Sequence, residues 1–384
     1  MRGLRHRNVV GALFVDGNSM PVDKTVFPRP RVSLSRRGVL AGAVASLGLA
    51  VPAYAERQAP LVDAAEWHSF RDRFIQADGR VLDTANGGIS HSEGQGWGML
   101  FAARFDDRDS FTRISDWRRR VLKRSHDALH AWRCRAGPAE VVDDFNNATD
   151  GDLLIAWGLL EAANRWQDAA LLVEGQALAQ DILRLLVRSP GRRTVLVPGL
   201  RGFEHPTYVV VNPSYYIFPA FQVLAEAVPD PAWVEIAAHG INLLRSGRFG
   251  RWQLPPDWLA VTGRAQLPRP APGWPTRFSY DAVRVPLYMA WAGLAHEPAV
   301  AAAARLWSRP PSVVMPAWVD LVSGQSADYP APTGIRAIAH LSIAASSGLG
   351  GLAGMPHVAD ADDYYSAALT LLSRLAWRDL GMPV

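Results

Sequence analysis

An all-α fold, a closed ring of helical hairpins carrying one or two short β-hairpins, is predicted by three features of the 384-residue sequence. Apolar residues recur at three- and four-residue spacings through most of the chain. Stretches of alternating polarity are few and short. The connecting segments are rich in Gly, Pro and aromatic residues, and no fixed sequence period marks an open solenoid.

Residues 1–55 stand apart as an N-terminal extension. Ser35-Arg36-Arg37-Gly38 leads into the apolar run Val39 to Val51 and then Ala53-Tyr54-Ala55, a small-residue cleavage pattern behind paired arginines. This reads as a twin-arginine signal peptide directing the protein to the periplasm or out of the cell, with Met20 as an alternative start. The run is short of the about 20 residues that a membrane span takes, and no comparable run follows. Membrane insertion of the mature chain is therefore not expected. The extension holds eight of the 40 Lys/Arg and two of the 36 Asp/Glu, which leaves the mature chain near a formal charge of −2. A nucleic-acid or anionic-membrane partner loses its support, and a neutral substrate fits.

Residues 56–384 contain no linker, low-complexity tract or charge block, and predict a single catalytic domain. All 14 Trp lie here, and Cys134 is the only cysteine, so packing and not a disulfide must hold the fold. Helical patterns run over about 64–76, 97–104, 110–122, 152–166, 169–187, 213–227, 231–246, 282–295, 299–308, 333–347 and 361–377. The clearest places Leu153, Ala156, Trp157, Leu160 and Ala163 on one face. Segment 193–197 could pair with 208–211, and 250–254 with 259–262 around Pro255-Pro256-Asp257. Active residues are expected at helix ends and in loops on one face of the ring.

Three acidic clusters fall at such ends. In Ser92-Glu93-Gly94-Gln95-Gly96-Trp97-Gly98-Met99, glycines admit a flat ligand, the indole offers a stacking face, and an acid beside an apolar ring can hold its proton. A capping box, with Glu93 folded back on the backbone, fits the same residues. In Asn146-Asn147-Ala148-Thr149-Asp150-Gly151-Asp152 a helix cap is again available through Thr149 or Asp150, but two acids around a glycine exceed what a cap needs. Oxygen ligation of Ca²⁺ is a competing use, although the spacing is not that of an EF-hand loop. In Tyr280-Asp281-Ala282-Val283-Arg284, Arg284 stands three residues after Asp281 and would lower its pKa. A surface ion pair would be the plain reading of an arbitrary Asp/Arg pair, but Tyr280 before it and Pro286-Leu287-Tyr288 after it favour an aromatic and largely buried setting.

Two carboxyl groups with opposed settings suit an inverting glycosidase. Glu93, short of cationic neighbours in the sequence, suits the protonated general acid, and Asp281 the ionised general base. Taken together the motifs resemble glycoside hydrolase family 8, most closely the endoglucanases associated with bacterial cellulose synthesis. Residues 148–166 are similar to the family signature, with Gly158 where Ser or Ala is usual. Similarity extends through Ala131-Trp132-Arg133, Asn212-Pro213-Ser214-Tyr215 and Asp363-Tyr364-Tyr365-Ser366.

The resemblance implies an (α/α)6 barrel and an endo-β-1,4-glucanase acting with inversion and without cofactor or metal. It implies Glu93 as general acid, Asp281 as general base and Asp150 as the aspartate that positions the sugar at the cleavage point. Trp132, Tyr215, Tyr280, Arg284 and Tyr364 are expected to contact substrate, while most tryptophans, Trp157, Trp166, Trp291 and Trp307 among them, are expected in the core. His91 is read as a structural hydrogen-bonding group. Family relatives act on xylan, lichenan or chitosan, and the near-neutral charge argues against chitosan. A monomer is expected, with the cellulose synthase complex as a possible partner. The contrasting reading is a glycan-binding or synthase-associated protein with little hydrolysis.

Overall fold

The computed structural model describes residues 63–135, 141–263, 266–308 and 314–384. The expected twin-arginine leader and the alternative start lie outside them. The helices are α1 (Ala64–Phe74), α2 (Ser92–Arg104), α3 (Arg108–Val121), α4 (Thr149–Trp166), α5 (Ala169–Leu186), α6 (Phe218–Ala227), α7 (Pro231–Ser246), α8 (Arg284–Trp291), α9 (Pro298–Trp307), α10 (Thr333–Ser347) and α11 (Tyr364–Asp379).

Their starts are set by short polar side chains. Asp107, Asp168, Asp230 and Asp363 each accept a backbone N–H in the first turn of α3, α5, α7 and α11. Gln167 in the left-handed region ends α4.

Burial sorts the helices into two layers. Helices α2, α4, α8 and α11 are buried almost all round, and α6 and α10 complete an inner set in which each helix touches the next from α2 to α11. Trp97 against Tyr364 and Tyr365, with the Arg104–Asp379 ion pair, closes α11 back on α2. Helices α1, α3, α5, α7 and α9 lie outside; α3, α5, α7 and α9 bury one face each, as their spacing predicts. Between α10 and α11 the chain makes only two 3-10 turns, Leu352–Gly354 and Val358–Asp360. The architecture is the expected (α/α)6 barrel.

Inner helices α2 and α4 run parallel and very close. A Cβ on Gly96 would lie 2.6 Å from Leu154 Cβ, and one on Gly151 would lie 2.0 Å from Ser92 Oγ and 2.7 Å from the Glu93 nitrogen. The contacts pair 92 with 151, 96 with 154 and 99 with 158, so the N-terminal ends of the two helices meet. At the other end Asp379 of α11 receives Arg104 of α2 and Trp291 of α8, so these helices also point the same way. The N-terminal ends of the ring therefore share one face.

Sheet structure differs from the expected hairpins. Val195–Leu196 pairs with Val187–Arg188, while Tyr208–Val211 pairs with Leu259–Thr262, which also carries Arg269–Pro270. Segment 250–254 forms a tight turn closed by a Phe249–Leu254 bridge and does not pair with 259–262. Strands this short carry too little alternation to name their partners. The single helix expected over 213–227 is a 3-10 turn, Pro213–Tyr215, followed by α6.

Candidate active site

The glycine-rich stretch is helical from Ser92, five residues earlier than its apolar pattern begins. Its N-cap is His91, whose Nδ1 accepts the Gly94 N–H at 3.1 Å. Nε2, which must then carry the proton in the neutral ring, faces Asp83 at 3.4 Å. His91 is thus the hydrogen-bonding group expected. With the cap occupied, Glu93 does not fold back; its side chain reaches Arg284.

Asp150 is likewise not a cap. The N-cap of α4 is Ala148, without a side-chain bond, and Thr149 Oγ1 donates to Val197 O at 2.6 Å. Asp150 is left free to face Arg284 Nη1 at 3.3 Å. Asp152 belongs to a different environment, accepting from Asn147 Nδ2, His130 N and His130 Nδ1 at 2.9–3.0 Å. The second acid of this cluster therefore holds His130 and Asn147 onto α4.

Asp281 sits in the turn before α8, not at its first residue, and its Oδ1 meets Arg284 Nη2 at 2.7 Å. One guanidinium thus gathers all three acids: Nη1 touches Glu93 and Asp150, and Nη2 holds Asp281. This corrects the expectation that Glu93 lacks a cationic neighbour. Sequence distance hides Arg284 from it, whereas the ring of parallel helices brings α2 and α8 together.

The three acids differ in access. The Asp281 side chain is 27% exposed, against 9% for Glu93 and 5% for Asp150. Burial pushes Asp150 up to about 7, against the Gly151 N–H that favours its ionised form. Asp281 is also held well above the usual carboxylate range, by burial first and then by the charges of Asp257 and Asp150. Burial and the two neighbouring acids thus prevail over the lowering expected from Arg284.

The aromatic residues divide unexpectedly. Tyr215, just before α6, is half-buried beside Asp150 and Asp281, and burial, then the charges of those two acids, raises its pKa. Tyr280 OH meets Tyr329 OH at 2.9 Å and its carbonyl receives the Tyr365 hydroxyl. Trp132 Nε1 donates to Asp144 at 2.9 Å, its ring carries the Arg133 guanidinium at 4.3 Å, and its carbonyl accepts Ser92 N–H. Trp97 is fully buried with Arg284 6.0 Å from its ring centroid, so it offers the guanidinium, not a ligand, its face. Tyr364 is a correction: at 1% exposure its ring packs among Phe70, Phe74, His91 and Trp97 and has no face open to a sugar.

One acid of the site escaped sequence reasoning. Asp257, read only as part of a turn, is buried and accepts hydrogen bonds from Ser279 and Ala282, on either side of Asp281. Burial pushes it up to about 6. Its one sequence signal was an acid after two prolines, which any turn provides.

A model of the glycosyl hydrolases family 8 matches residues 39–379. A probable endoglucanase from Novacetimonas hansenii is 43% identical over 83% of this chain and 92% of its own length. Among solved structures, an endo-beta-1,4-glucanase from Acetobacter xylinum superposes with a TM-score of 0.77 at 43% identity, covering 82% of this chain and 97% of that one. A family 8 endoglucanase from Klebsiella pneumoniae gives 0.77 at 36% identity, over 82% and 99%.

Proposed function

The chain belongs to glycoside hydrolase family 8, and on that premise we propose that it cleaves internal β-1,4 bonds of cellulose-like glucans, inverting the anomeric centre. The observation that carries this reading is the convergence of Glu93, Asp150 and Asp281 on Arg284 at the N-terminal face of the helical ring. Glu93 is the general acid that protonates the departing glycosidic oxygen. Asp281, the most open of the three, is the general base that takes a proton from the attacking water. Asp150, held with Tyr215, positions the sugar at the cleavage point. Trp132 and Tyr280 flank the acids and serve as sugar contacts.

The wider setting follows the same premise. Residues 56–384 act as one catalytic domain, monomeric, exported by the twin-arginine leader to the periplasm or beyond and serving bacterial cellulose synthesis. Among the described residues no helix is long and apolar enough to cross a membrane, in keeping with a mature enzyme that works in water.

Reducing ends released from carboxymethylcellulose test the assignment. Wild type is expected to be active, and Glu93→Gln and Asp281→Asn each to lose about 10²-fold or more, the scale of a missing acid or base. Activity surviving both substitutions sinks the pairing. A wild type inert on every β-glucan that still binds one supports the non-hydrolytic reading instead.

A further inference from the structure

Asp257 has no part in that pairing, yet its bonds surround the base. The residue ends the Pro255-Pro256-Asp257 turn, ahead of the strand Leu259–Thr262, and is 8% exposed. Oδ1 accepts the Ser279 N–H at 3.0 Å and the Ala282 N–H at 2.8 Å, and Oδ2 accepts the Ser279 hydroxyl. Its own N–H donates to Arg277 O at 2.8 Å. One carboxylate therefore grips the chain two residues before Asp281 and one residue after it. We propose that Asp257 is the positioning residue of the general base, fixing the turn that carries Asp281 and placing a second negative charge behind it.

The inference rests on Asp281 being the base. Hydrogen bonding alone does not call for an acid at 257, because an asparagine oxygen accepts the same two N–H groups. What an aspartate adds is charge. A base must hold a proton taken from water, and a like charge beside a half-buried carboxylate strengthens that hold. Asp281 is raised by burial, then by Asp257 and by Asp150. The other groups facing the two acids are Glu93 of α2, Asn212 and Tyr215 before α6, Arg284 of α8 and Tyr365 of α11, with Arg284 the one cation among them.

The pH dependence of kcat/KM on a soluble β-glucan separates charge from scaffolding, since its acid limb reports ionisation of the base in the free enzyme. In Asp257→Asn that limb is expected to move to lower pH, on the order of one unit, the scale on which a lost like charge acts. The variant then retains a larger share of its optimum activity at acid pH than wild type does. Asp257→Ser, a second neutral replacement, is expected to shift the limb the same way and carries the test if the amide variant fails to fold. Asp257→Glu keeps the charge and is expected to keep the limb while lowering kcat. An unmoved limb in a folded neutral variant overturns the proposal, as does failure of both neutral variants to fold, which would leave Asp257 purely structural. Asp281→Asn is read separately: if it stays active, the base assignment itself has failed, whatever the limb does.

Discussion

Arg284 offers two terminal nitrogens to three carboxylates, and its planar fork is what lets it serve all of them. A lysine in its place presents one ammonium, which cannot span Glu93 and Asp281 together. Arg284→Lys is therefore expected to fold but to lose about 10²-fold or more in kcat, as displaced catalytic groups do. Its acid limb should also move up in pH, because the acids then repel one another with less compensation. That shift is opposite in sign to the one expected for Asp257→Asn. Steady-state kinetics across pH checks both, and a Lys variant with wild-type kcat would show that the fork is dispensable. The sequence made the Asp281–Arg284 half of this cluster legible, since three residues on one turn are neighbours. It could not reveal that the same guanidinium meets Glu93 and Asp150, 191 and 134 positions away. Asp257 was illegible for the same reason, because nothing near Pro255-Pro256 points to a turn 22 residues on.

Helix α2 carries Glu93 and α4 carries Asp150, and glycines set the distance between them. At Gly151 an added Cβ would meet Ser92 Oγ at 2.0 Å and the Glu93 backbone nitrogen at 2.7 Å, and backbone cannot turn aside. Gly151→Ala must push the helix starts apart, at an overpacking cost of about 1–3 kcal/mol or more. It is expected to lower both Tm and activity. Gly158, where the family signature usually has Ser or Ala, is a milder case. Its Cβ would lie 3.0 Å from Met99 Cβ and 3.1 Å from Leu100 N, and alanine recovers about 1 kcal/mol of helix propensity. Gly158→Ala is expected to stay near wild type in thermal melts and turnover. Equal tolerance at both positions would contradict a close-packed α2–α4 contact. The outer helices were legible because one face of each is apolar. The start of α2 was not, because all but one of its residues are buried and its first turns are glycines, so no periodicity marks where it begins. Strand Tyr208–Val211 found its partner 50 residues away, beyond any local signal.

At the scale of the molecule, parallel inner helices aim their N-terminal ends at one face and bury the acids there. The positive ends of the helix dipoles favour anionic side chains at that face, yet burial works against the ionised forms. Asp150 illustrates the balance, with a folded pKa of about 7 against an ordinary value of 3.8. A carboxyl raised in the folded state binds its proton more tightly there than in the unfolded chain. Its favourable contribution is whole below about pH 4, declines as the unfolded chain ionises, and is gone once the pH passes about 7. Asp150→Asn removes this dependence while leaving Arg284 paired with Glu93 and Asp281. The Tm of the variant relative to wild type is therefore expected to rise steadily from pH 4 to pH 7 and to level off above it. Melts at constant ionic strength across that range test the point. A gap that is constant with pH would mean that Asp150 is as readily ionised in the fold as in water, and that the site imposes no stability cost through this residue.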